Sequence, residues 1–256
     1  MKKILHFDNI LYYNISFING NVFYAIEYLY YLKKDFYLII KIPSINIKNK
    51  IIKLWKEKYN NKINEIQDKI FFILNQKIIT KNCLLLDGYS INDYNKNLFT
   101  KNIIYNYGDH EKSLKIPFRN SKIITIGDKE IGCNVEYHYP LFINFSLFKE
   151  LNDLNIKKDI FIEDKRDSSS SDIYKRKRNI KNFHEQFNHL IYYKENFWER
   201  ANRLIPECKF YSKKINFYNY DNFLDSADLR YRRKYEYYDI NKSNIKEWFY
   251  EQFKIY

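Results

Sequence analysis

The sequence predicts a mixed α/β protein of two lobes, each built on a parallel sheet. Three observations predict it. Short apolar runs that close on Gly or Asp alternate with longer segments whose apolar residues recur at helical spacing. Only five Gly and four Pro punctuate the chain, so its elements are long and its tight turns few. The alternation restarts after a polar, turn-rich stretch near Leu154, in a chain of 256 residues that has length enough for two lobes.

The first strand is read in "KKILHF", ending at Asp8. The helix after it, in "INGNVFYAIEYLYYLKK", repeats Val22, Ala25, Ile26, Leu29 and Leu32 on one face. Gly20 and Asn21 stand at its mouth, and Lys33 and Lys34 at its end, where the macrodipole favours cations. "FYLIIKI" is a buried strand, which completes a βαβ unit. "IIKLWKEKYNNKINEIQDKIFFIL" reads as mostly helical, and "NCLLLDGY" as a strand closing at Asp87. "KNIIYNYGDH" and "SKIITIGDKE" are apolar runs ending in Gly-Asp. Ligand loops of open α/β sheets follow the carboxyl ends of strands, so Asp8, Asp87, Asp109 and Asp128 are expected on that edge.

The second lobe reads as strand "DIFIE", loop "DKRDSSSSD", basic stretch "IYKRKRNIKNFHEQF", strand "HLIYYK", helix "FWERANRLIPECKFY" and strand "KINFYN". The outline is two facing Rossmann-like domains in a compact chain, 1–154 and 155–256. A last helix falls in "NIKEWFYEQF".

Composition narrows the function classes. The net charge of +13 invites an anionic partner, because Lys and Arg release counterions from phosphates. Lys, Asn, Ile, Tyr and Phe are all abundant, so the charge also has a compositional source in A- and T-rich coding DNA. Cys83, Cys133 and Cys208 lie far apart, which suits free thiols in a reducing compartment. "MKKILHFDN" is no signal peptide, and no apolar run is long enough to span a bilayer, so a cytoplasmic protein is expected. No P-loop, G-x-G-x-x-G or metal signature is present. His184 and His189, spaced i, i+5, would lie on different faces of a helix.

Polar chemistry gathers in "FWERANRLIPECKFYSKKINFY". On an unbroken helix Glu199 and Glu207 would stand about 80° apart around the axis. Pro206 breaks it, since its ring clashes with the preceding turn. The expected geometry is a loop carrying Glu199 and Arg203, then a helix with Pro206 in its first turn and Glu207 beside its N-terminus.

Glu, seven residues, then Glu opening a helix that leads to "YSKKINFY" resembles the C-terminal signature of glycosyltransferases of the two-Rossmann (GT-B) type. The family usually has Gly where this chain has Ala201, Asn202 and Ser212. The resemblance implies a nucleotide-sugar donor, such as a UDP-sugar, and no other cofactor. It places Glu199 near the donor sugar and Glu207 on the ribose. The diphosphate falls to Lys165 and Arg166 after the first strand of the second lobe, helped by Arg203 or Lys213. Asn19, Gly20 and Asn21 match the family's first loop, on the acceptor side. An inverting enzyme needs a general base, for which Asp87, Asp109, His110 or His138 are candidates, whereas the Glu pair leans towards retention.

Basic, compact enzymes of this outline resemble bacteriophage enzymes that glycosylate hydroxymethylated bases in double-stranded DNA. A phage enzyme of this kind would work in the host cytoplasm, and a surface polysaccharide is the rival acceptor. A different class, a non-enzymatic nucleic-acid-binding protein, draws on "YKRKRNIKNFHEQF" and "LRYRRKYEYY", where basic and aromatic residues interleave.

Overall fold

The computed structural model describes residues 3–15, 21–86, 98–107, 121–126, 137–139, 142–150, 156–157, 160–164, 183–194, 204–219, 238–239 and 245–255. The chain divides into two compact units, Met1–Leu147 with Tyr238–Tyr256, and Phe148–Tyr237. The sequence expectation sets one boundary near Leu154. The chain passes between units twice, after Leu147 and before Tyr238. The protein is mixed α/β, with parallel sheets in both units. No helix among the described residues is long and apolar enough to cross a membrane.

The first unit opens with β1 (Ile4–Asn14), α1 (Asn21–Leu32), β2 (Tyr37–Lys41) and α2 (Ile45–Tyr59). A 3-10 stretch, Asn60–Lys69, then leads to β3 (Ile70–Ile73) and β4 (Lys77–Leu85). After these come β5 (Leu98–Tyr107), β6 (Ser121–Ile126) and β7 (Tyr137–Tyr139). These strands form one parallel sheet ordered β3-β2-β1-β4-β5-β6-β7. Succession runs outwards from β1 in one direction through β3, then restarts on the other side at β4. β8 (Phe142–Ile143) pairs in parallel with β12 (Tyr238–Asp239), and α4 (Ile245–Phe253) ends the described chain.

Two readings of the first unit are corrected. β1 does not end at Asp8, which sits in mid-strand, exposed, and away from the carboxyl edge. The strand runs through this polar spot because Asn9 has partners there. Asn82 Nδ2 donates to Asn9 Oδ1 at 2.6 Å, and Asn102 Nδ2 to Asn82 Oδ1 at 2.8 Å. These three residues lie opposite one another on β1, β4 and β5. Each amide completes its neighbour, so the polar row is satisfied inside the sheet. The second correction is β3: "IFFI" is a strand, not the end of a helix. Four consecutive apolar residues carry no period, and pairing with β2 decides between the two states.

The helices of the first unit bury almost continuous faces. Val22, Ala25, Ile26, Leu29 and Leu32 of α1 are all fully buried. Trp55 of α2, itself 1% exposed, donates its indole N–H to Val22 O at 3.0 Å. Glu27 is an acid within this apolar surface, and it accepts the Tyr59 hydroxyl. Phe249 and Phe253 of α4 close on Tyr28 and Phe36 with ring centroids 6.2 and 6.0 Å apart, and Tyr250 donates to the Asp35 carboxylate. Burying two such rings is worth about 3–6 kcal/mol before entropy is counted.

The second unit contains β9 (Ile160–Asp164), β10 (His189–Lys194), α3 (Leu204–Phe210) and β11 (Lys214–Asn219). These strands are parallel, in the order β11-β10-β9. Phe161, Phe187, Leu190, Leu204 and Cys208 form its core.

Candidate functional site

Of the residues that the resemblance assigns to the donor and acceptor, Glu207 and Lys213 have described side chains. Both belong to α3 and its exit. Pro206 and Glu207 fall in the first turn of a helix that begins at Leu204, as the break at Pro206 requires.

The exit of α3 explains where Lys213 goes. Ser212 N–H donates to Lys209 O at 3.0 Å and Lys213 N–H to Cys208 O at 2.9 Å, with Ser212 at φ 52°. This is a Schellman motif, whose left-handed residue is usually Gly. Gly is what the glycosyltransferase pattern has there, and Ser212 takes the same conformation at some cost. The reversal sends the Lys213 side chain into the unit, where it is 7% exposed.

Inside, the Lys213 ammonium donates to His184 O at 2.6 Å and to Phe187 O, and lies 4.4 Å from the centre of the Phe187 ring. Burial pushes its pKa down to about 8. Its donors are directed to the backbone of the 183–187 turn, so Lys213 fastens that turn. His184 in the same turn lies with Nε2 2.8 Å from Glu207 Oε2. Glu207 is 5% exposed, and its carboxylate faces the interior of the unit. The Tyr211 ring lies tilted against that of His184, centroids 4.9 Å apart, and burial, then the charge of Glu207, raises its hydroxyl pKa.

The location of this cluster matters for its chemistry. His184 and Phe187 precede β10, and Tyr211 and Lys213 precede β11, so the cluster gathers at the amino-terminal ends of these strands. Chain that leaves their carboxyl ends enters 165–182 after β9 and 195–203 after β10. Lys165, Arg166, Glu199 and Arg203 fall in those segments, outside the described residues.

In the first unit Asn21 opens α1, following β1 in the chain. Asn19, Gly20, Asp87, Asp109 and His110 lie outside the described residues, as does Asp128. In sequence they follow the carboxyl ends of β1, β4, β5 and β6. His138 is in β7.

Sequence reasoning missed His184 as a partner of Glu207. Nothing in their separation of 23 residues announces the pairing. It also read His184 and His189 on a helical pattern, whereas His184 is in a 3-10 turn and His189 starts β10. Among the described residues no group of three or more His, Cys, Asp or Glu side chains could hold a metal ion. Cys83 and Cys208 are buried free thiols, and burial raises the Cys83 pKa well above its ordinary value.

No family model matches the chain, and no curated protein or solved structure matches it either.

Proposed function

We propose that this chain is a glycosyltransferase that moves a sugar from a nucleotide-sugar donor to an acceptor hydroxyl. One observation supports the reading above others. Both units are parallel sheets, and the polar residues that the Glu-x7-Glu resemblance singles out fall mostly in segments that follow strand carboxyl ends. That edge is where open α/β sheets bind nucleotides, and the first unit's reversal of strand order between β1 and β4 is the usual place for a ligand crevice. Fold outline alone does not carry function, so the assignment rests on the residues.

Glu199 and Arg203, between β10 and α3, are assigned to the donor, with Lys165 and Arg166 after β9 on its diphosphate. Asn19, Gly20 and Asn21 are assigned to the acceptor side, and Asp87, Asp109 and His110 are the candidates for a base. Glu207 has two roles to be separated. The resemblance puts it on the ribose, while its contact with His184 makes it a buttress of α3.

A thermal-shift screen of the purified protein against nucleotide sugars and free nucleotides tests the reading. A donor at about 100 times its dissociation constant adds about 2.7 kcal/mol of stability. Mass spectrometry of hydroxymethylated DNA and of oligosaccharides incubated with the donor that binds then identifies the acceptor. Glu199→Gln should remove transfer. Glu207→Gln removes the donor's shift if Glu207 holds ribose, and keeps that shift while lowering the ligand-free midpoint if it is only a buttress. No shift with any nucleotide or nucleotide sugar would refute the assignment.

A further inference from the structure

In the amino-terminal halves of β1, β4 and β5 one face of the first unit's sheet is open. Ile4, His6 and Asp8 of β1, Ile79 and Lys81 of β4, and Phe99 and Lys101 of β5 are exposed, while the residues between them are buried or half-buried. Register aligns them across the strands. His6, Ile79 and Phe99 form one row, and the next row contains Lys81 and Lys101 beside Asp8. Phe99 is 47% exposed and Ile79 39%, high values for apolar side chains in the middle of a sheet. Lys77 stands over the Phe99 ring at 5.7 Å from its centre.

We propose that this face binds single-stranded nucleic acid. An aromatic ring flanked by lysines at strand spacing offers a stacking surface and phosphate contacts together. Lys77, Lys81 and Lys101 outweigh Asp8, and the chain carries +13 overall. A second copy of the chain is disfavoured, because a self-complementary contact sets the same lysines against one another. The rows lie at the amino-terminal half of the strands, so this surface is separate from the carboxyl edge assigned to sugar transfer and stands independently of it.

Fluorescence anisotropy with a labelled mixed-sequence 20-mer, single-stranded or as a duplex, tests the proposal on the full chain. Lys81→Glu with Lys101→Glu should weaken single-strand binding at least tenfold and reduce the salt slope by about 1.4, the value for two phosphates. Phe99→Ala should weaken it about 5- to 100-fold through lost stacking. Lys53→Glu with Lys56→Glu, exposed on α2, changes the net charge equally and should leave most of the affinity. Circular dichroism and urea midpoints confirm that each variant folds. Equal loss in the α2 control, an unaffected Phe99→Ala, a duplex bound as tightly as the single strand, or self-association through this face overturns the proposal.

Discussion

His184 reaches Glu207 across 23 residues of sequence, with Nε2 and Oε2 2.8 Å apart and side-chain exposures of only 13% and 6%. The pair joins the 183–185 turn to the first turn of α3, and Lys213 fastens the same turn from the other end of that helix. The second unit is thus held by polar contacts as well as by its apolar core.

Removing the acid should therefore be expensive. Glu207→Ala leaves a buried imidazole without this partner and should lower stability by about 2–3 kcal/mol. Glu207→Gln keeps a hydrogen-bonding group of the same shape and should cost about 1 kcal/mol. Urea unfolding of the two variants checks the order, and equal midpoints would show that the contact adds no stability.

Lys213 should give the protein an unusual alkaline dependence. Burial lowers its pKa to about 8 from the ordinary 10.5. Between those values the unfolded chain holds a proton that the folded chain has released, so stability rises with pH through that window, by up to about 1.4 kcal/mol per unit. Tyr211 and Tyr250 act oppositely: their raised values make stability fall once pH passes the ordinary 10.0. Urea midpoints at pH 7.5 and 9.5 should rise in the parent relative to Lys213→Met. Parallel behaviour of the two would mean that the amine stays charged.

Much of this architecture is legible in the sequence, and the exceptions have physical causes. α1, β2, α3, β11 and α4 follow from apolar period and from Pro206, because local pattern and tertiary environment agree there. β1 was legible only to Asp8, since the row that carries it further, Asn9 with Asn82 and Asn102, joins residues far apart in the chain. Glu27 could have been noticed, as an acid inside the nearly all-apolar "YAIEYLYYL". Of the site, a helix with Pro206 and Glu207 in its first turn is readable from the sequence, but the burial of Glu207 against His184 is not. Spacing reports which face of an element a residue occupies, and cannot report what a distant turn brings to that face.

Ser212 offers a stabilising substitution. At φ 52° a residue with Cβ bears a strain that Gly does not, roughly 1 kcal/mol. Ser212→Gly should raise the unfolding free energy by about that amount, less the greater freedom that Gly gives the unfolded chain. Ser212→Val, β-branched in the left-handed region, should lower it by more than 1 kcal/mol. Because Lys213 enters the interior from this reversal, the Val variant should also lose part of the alkaline rise. A midpoint unchanged by both substitutions would contradict the reversal geometry.

The first unit should fold without the second. Its two chain segments meet where β8 and β12 pair, Phe142 opposite Tyr238 and Ile143 opposite Asp239, so the ends left by removing Phe148–Tyr237 start from adjacent strands about 4.8 Å apart. A Gly/Ser linker of about eight residues spans the ends left open at Leu147 and Tyr238 without straining either. The unit keeps its sheet, α1, α2 and α4, and with them the buried Trp55, Phe249 and Phe253. The shortened protein should give a cooperative urea transition monitored by tryptophan fluorescence. Deleting Ile245–Tyr256 from it should abolish that cooperativity, because Tyr28 and Phe36 lose the rings that cover them. A linked unit that binds a hydrophobic dye and melts without a transition would show that the first sheet depends on the second unit for its fold.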